Sequence, residues 1–196
     1  GLFVGRERSV FEEAVHLSQQ CNLDLLAEPL EKVVVFLEPQ EFKSTWLGNK
    51  AIYRTRMAMA DGGELIVLAP GVRSFGEDPG IDRLIRTFGY QKRLEVLRLT
   101  KEHRELAENL SVAAHLIHGS ADGRFRITYA VEHLSAAEIQ GVCFHYLPYQ
   151  EAAERYHPHQ LSDGFNVLNG ERVFFIRNPA LGLWALQKDF RKEEQQ

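Results

Sequence analysis

The chain has 196 residues, 44% of them hydrophobic, with 23 Lys and Arg against 27 Asp and Glu. That length suits one globular domain, or one large domain with a small appendage, burying roughly 70% of its chain surface. A net charge of −4 argues against a nucleic-acid module, although locally clustered cations still suit a small anionic ligand.

In chain order, Ser9 and Glu12 form an S-x-x-E box, and Val10, Phe11, Ala14, Val15 and Leu17 follow at helical spacing. "KVVVFL" (32–37) is a continuous β-branched run, as expected of a strand covered on both faces. The next stretch, "TWLGNKAIYRTRMAMADGG", predicts a helix from Trp46 to Ala60 ended by Asp61-Gly62-Gly63. "ELIVLA" (64–69) is a second buried strand, emptying into the Gly/Pro-rich loop "PGVRSFGEDPG".

The middle third reads as helical: "IDRLIRTFG" stops on Gly89, residues 90–99 continue in the same style, and "EHRELAENLSVAAHLIHG" stops on Gly119. Strands are expected at 124–130, 141–147 and 172–177, with short helices in "SAAEIQ" and "YQEAAERY" between them. Asn169-Gly170 signals a hairpin, read as a surface extension over about 157–178 whose His157 and His159 are ordinary. The polar tail, 187–196, is expected to fray. Cys21 and Cys143 read as reduced core thiols of a cytoplasmic protein. No apolar run is long enough to suggest a membrane partner.

Alternating strands and helices predict an α/β three-layer domain with a mainly parallel sheet of about five strands and a small C-terminal hairpin extension. Ligands of such sheets bind beyond the carboxyl ends of the strands, which selects the loops 38–46, 70–78, 131–135, 147–150 and 178–184.

Several constellations carry chemistry. In the predicted helix Trp46, Lys50, Tyr53 and Met57 share a face, with Asn49 and Arg56 beside it and Arg54 turned further round. That set suits either a packed helix with solvated cations or an anion site in which Lys and Arg clamp a carboxylate. Asp78 reads as a helix N-cap, whereas Arg73 in the same loop has no structural task. His115 and His118 stand at i, i+3 near a helix end. Metal ligation would need a third ligand, so a core histidine with a C-terminal cap and a substrate-facing hydrogen-bonding role are the competing readings. There is no G-x-G-x-x-G, G-K-[ST] or H-E-x-x-H, and no nucleophile elbow.

The runs "WLGNKAIYRTRMAMADGGELIVLAPG", "LAENLSVAAHLIHGS" and "GRFRITY" resemble the C-terminal domain of the nickel-pincer lactate racemase family, nearest to its sugar-acid (mannonate-type) epimerase members. The resemblance covers most of the chain. It implies a domain that orients a substrate carboxylate, while a separate N-terminal domain supplies the catalytic histidines and the nickel-pincer nucleotide. Tyr53 matches the family's Tyr, but Arg54 stands at its Gln and Met57 at its Lys, which turns the expectation away from lactate toward a longer hydroxy acid. The chain does not begin with Met and is expected to be one α/β domain, 1–196, cut from a two-domain racemase or epimerase. On this reading it is inactive alone and holds no catalytic residue or metal of its own. Its partners are the N-terminal domain and a small hydroxy acid, with no nucleic acid. The candidate substrate contacts are Trp46, Asn49, Lys50, Tyr53, Arg54, Arg56, Arg73, His115 and His118. The rival expectation is a non-catalytic module that binds small anions or a partner.

Overall fold

The computed structural model describes residues 1–190. The chain runs α1 (Arg8–Asn22), β1 (Leu23–Leu26), β2 (Leu30–Phe36), α2 (Thr45–Gly48), α3 (Lys50–Tyr53) and β3 (Met59–Ala69). Then come α4 (Pro79–Phe88), α5 (Arg93–Glu102), α6 (Arg104–Ala107), α7 (Leu110–His118), β4 (Arg126–Val131), α8 (Ala136–Gly141) and β5 (His145–Pro148). It closes with α9 (Tyr149–Tyr156), β6 (Gly164–Leu168), β7 (Glu171–Ile176), β8 (Leu183–Leu186) and α10 (Gln187–Phe190).

Six strands form the central sheet in the order β5-β4-β3-β2-β7-β6, with every pair parallel except β6–β7. The β-branched runs behave as their composition requires. Val33, Val35, Leu65, Val67 and Tyr129 point into a core shared with α3, α4, α7 and α8, through Ile52, Ile85, Leu116 and Ile139. Their neighbours Val34, Phe36, Ile66, Leu68 and Ala130 point the other way, onto Ala152 and Tyr156 of α9. Alternate residues of one strand thus fill two cores, which makes the three-layer α/β domain expected from the sequence.

Several elements differ from expectation. The hairpin at Asn169-Gly170 forms, with φ of 51° and 83°. It is not an appendage, however, because β7 pairs with β2 through Val33–Val35 and so brings the sheet to six strands. The helix expected over 46–60 is two four-residue helices that end at Tyr53, and β3 begins at Met59. Asp61-Gly62-Gly63 lies inside that strand. Pairing jumps from Leu30↔Met59 to Lys32↔Glu64, so β3 carries extra residues there. A Cβ on Gly63 would stand 2.9 Å from Glu31 O and 3.0 Å from Ala60 O, so glycine lets the backbone pack through the irregularity.

α1 starts at Arg8 with Glu7 as an N-cap that makes no side-chain bond, so the Ser9–Glu12 box does not form; Arg8 Nε pairs with Glu12 at 2.8 Å instead. Cys21 and Cys143 are both exposed, so neither is a core thiol. The four-residue strands β1 and β8, too short and too leucine-rich to stand out, pair in parallel as a small second sheet. Asp78 does cap α4, accepting from Gly80 N at 2.8 Å and Ile81 N at 2.9 Å, and Gly89 ends that helix at φ 65°. Residues 191–196 of the expected frayed tail lie outside the described residues.

Ile66 is 2% exposed at the centre of the α9-side core. Ile66→Ala is expected to lower unfolding stability by about 2–5 kcal/mol, read from urea denaturation.

Candidate functional site

The segment 44–58 decides where the candidate residues go. It leaves the carboxyl edge of the sheet, where Thr45 N–H donates to Ser74 O at 3.1 Å and Trp46 N–H to Phe75 O at 2.9 Å. It reaches the opposite edge, where Leu30 N–H at the start of β2 donates to Ala58 O at 2.8 Å. The residues expected to share one helix face are therefore strung from one edge of the sheet to the other.

The first group lies over the middle of the sheet. Asn49 is fully buried and accepts a hydrogen bond from the Tyr129 hydroxyl at 2.6 Å. The His115 ring stacks on Trp46 with centroids 4.2 Å apart, and its Nε2 lies 3.1 Å from Tyr90 Oη. Tyr90 Oη is 2.7 Å from Thr45 Oγ1, which is itself 3.0 Å from Phe75 O. Thr45 donates to the Phe75 carbonyl and Tyr90 to Thr45, while His115 Nε2 lies within reach of both Tyr90 Oη at 3.1 Å and Asn49 Nδ2 at 3.5 Å. Burial, and after it the charge of His118, lowers the His115 pKa to about 4. Desolvation pushes both Tyr90 and Tyr129 well up. Asn49 and His115 are thus engaged in a buried polar cluster, and His118 is exposed one turn beyond it.

The second group lies near the amino edge. Arg54 is half-buried, and its Nε is buried with no hydrogen-bond partner among the described residues; Nη1 reaches only to Gly182 O at 3.5 Å. Tyr53 flanks the guanidinium, with its ring centroid 5.9 Å from Arg54 Cζ. Arg54 and Met57 line a cleft of about 500 Å³ whose other walls are Gln19 and Asn22 of α1 and Leu181 and Leu183 of the 180s segment. The polar residues of α1 escaped the sequence reading because nothing local marks a helix as the wall of a distant site.

The remaining candidates stand apart. Lys50 Nζ sits 5.7 Å over the Phe42 ring, and Arg56 Nη1 is 3.5 Å from Ile117 O. Arg73 is exposed at the carboxyl edge, in a cleft of about 400 Å³ together with Lys43, Glu132, His133, Tyr149 and His159. The loop rule pointed to that edge, but it did not single out Lys43 or the two histidines. Among the described residues no three His, Cys, Asp or Glu side chains come together as a metal site. No helix there is long and apolar enough to cross a membrane.

A scan of protein-family models finds no match, and neither does a search of curated protein sequences. Solved structures do match. A Thermotoga maritima protein superposes with a TM-score of 0.68 at 22% identity, covering 92% of this chain and 42% of that one. The lactate racemase apoprotein of Thermoanaerobacterium thermosaccharolyticum superposes at 0.62 and 12% identity, covering 92% of this chain and 41% of that one. The chain has a lactate racemase-like fold. It spans about two fifths of the length of either neighbour.

The His115 network sets a pH dependence. Folded His115 resists protonation down to about pH 4, whereas the unfolded chain takes up that proton near 6.5. Its contribution to stability is therefore present above pH 6.5 and is lost as pH falls toward 4. Urea midpoints measured across that window should fall more steeply in the wild type than in His115→Gln, and equal slopes would contradict the assignment.

Proposed function

We propose that this chain is the substrate-orienting domain of a two-domain racemase or epimerase. The reaction is inversion of the carbon next to the carboxylate of a 2-hydroxy acid, with a sugar acid favoured over lactate. The observation that carries this reading is Arg54, a half-buried guanidinium that lines a cleft large enough for a small organic acid and has no carboxylate paired to it among the described residues. A carboxylate is the group that satisfies a guanidinium fork best. The shared fold and the fraction of the neighbours' length that the chain spans support placing that cleft within a longer enzyme. α1 supports it too, since none of its residues is buried and Phe11 is 69% exposed.

In this reading Arg54 fixes the carboxylate, and Gln19 and Asn22 offer hydrogen bonds to hydroxyls further along the substrate. Met57, 41% exposed beside them, packs on the carbon chain. Holding both ends of the acid fixes which face of the neighbouring carbon meets the reacting groups, a contribution through positioning. The residues here do not fit a nickel centre, so no step through one is assigned to them. The nickel-pincer nucleotide and the proton-transferring histidines belong, in this proposal, to the other domain, and the 196 residues alone are inactive.

In the longer enzyme, Arg54→Ala is expected to lower kcat/KM for a sugar acid by about tenfold to a hundredfold with metal content unchanged, as loss of a charged hydrogen-bonding pair implies. Arg54→Lys should recover only part of it, because an ammonium cannot form the fork. Unchanged kcat/KM in Arg54→Ala, or turnover by the 196 residues alone, contradicts the proposal. Carboxylate binding at Arg54 with no turnover by the longer protein would support the small-anion module instead.

A further inference from the structure

We infer that the cleft at the carboxyl edge of the sheet is a second binding site, built for a small hydroxylated anion such as a sugar phosphate or a sugar carboxylate. It is separate from the Arg54 cleft. β2 alone, seven residues long, separates the two edges by about 20 Å at the usual rise per strand residue.

The walls are the loops that follow three parallel strands. Lys43 comes from the loop after β2, Arg73 from the loop after β3, and Glu132 from the residue after β4; Tyr149, the first residue of α9, closes the remaining side. This is the position at which open parallel sheets hold their ligands. The loops are locked in place. Arg73 N–H donates to Lys43 O at 2.9 Å, and the Lys43 ammonium donates to Pro39 O. A Cβ on Gly71 would lie 2.6 Å from both Pro39 Cα and Pro39 O, so the two loops touch backbone to backbone and only glycine permits it.

The charges determine the ligand class. Neither Lys43 nor Arg73 has a carboxylate within ion-pairing distance among the described residues. Two cations from adjacent loops with hydrogen-bonding capacity to spare suit one anionic group. Glu38 and Glu132 line the same cleft, close enough to Tyr149 that their charges, after burial, raise its pKa. Carboxylates beside an anion site do not repel a ligand whose far end is hydroxylated, because they accept its O–H groups. The His159 ring, edge-on to Phe36 at 5.4 Å, is held at the same cleft. A cleft lined by two cations together with two carboxylate acceptors fits a hydroxylated anion better than a simple one.

Calorimetric titration of the chain with gluconate, glucose 6-phosphate and inorganic phosphate tests this. At least one hydroxylated anion should bind, and more tightly than inorganic phosphate; which of the two binds better identifies the anionic group. Arg73→Gln and Lys43→Gln should each weaken it about tenfold or more, and Glu132→Gln should weaken the hydroxylated anions but not phosphate. Arg73 is exposed, so its replacement is expected to leave the fold intact, and circular dichroism of each variant checks that. Run in the Arg54→Ala background, the titrations report this cleft without any sugar-acid binding at Arg54, which separates the inference from the racemase proposal. No binding of any probe in that background, or binding there that survives Arg73→Gln with Lys43→Gln, overturns it.

Discussion

The hydrogen bond from Tyr129 to Asn49 is the constraint on which the rest of the arrangement depends. Tyr129 sits in the middle of β4, and Asn49 sits at the break between α2 and α3. Both are fully buried, so an unpaired partner on either side would leave a desolvated polar group. The bond pins the crossing segment over the centre of the sheet at its midpoint. Its beginning is held at one edge by Ser74 and Phe75, and its end at the other by Leu30. Arg54 reaches the amino-edge cleft because the chain is fastened at these three places.

Around that crossing the two faces of the sheet divide the work. The α9 side is an apolar core of Val34, Ile66, Leu68 and Phe175. The other side is largely apolar as well, but beside the Tyr129–Asn49 bond it admits a polar chain, from His115 through Tyr90 to Thr45, which terminates on a backbone carbonyl. Every member has a partner, and burial keeps the imidazole neutral, so the network acts as a rigid support. The carboxyl-edge cleft is supported differently, by Gly71 pressed against Pro39, and depends on none of these side chains.

Much of the fold was legible because its signals are local and strong. The β-branched runs at 32–37 and 64–69 mark strands buried on both faces; Asp78, Gly89 and Asn169-Gly170 mark a cap, a stop and a hairpin by turn chemistry alone. What was hidden depends on distant pairing. "MAMADGG" carries no β-branched residue, so β3 begins five residues before its sequence signal, through pairing with β2. β1 and β8 are four residues each and exist only because they pair across the length of the chain. The same limit applies to the sites: Arg54 and Arg73 stood out as cations, but the separation of their clefts follows from the path of the backbone. Asn49 reads as a candidate substrate contact in sequence, whereas in the structure it is buried and bonded to a tyrosine 80 positions away.

The central claim is that Arg54 receives the carboxylate of a hydroxy acid. A crystal structure of the longer enzyme soaked with a sugar acid tests it most directly. The account predicts the carboxylate within hydrogen-bonding distance of the Arg54 guanidinium, with the hydroxylated chain running toward Gln19 and Asn22. A carboxylate bound elsewhere, out of reach of the Arg54 guanidinium, would contradict it.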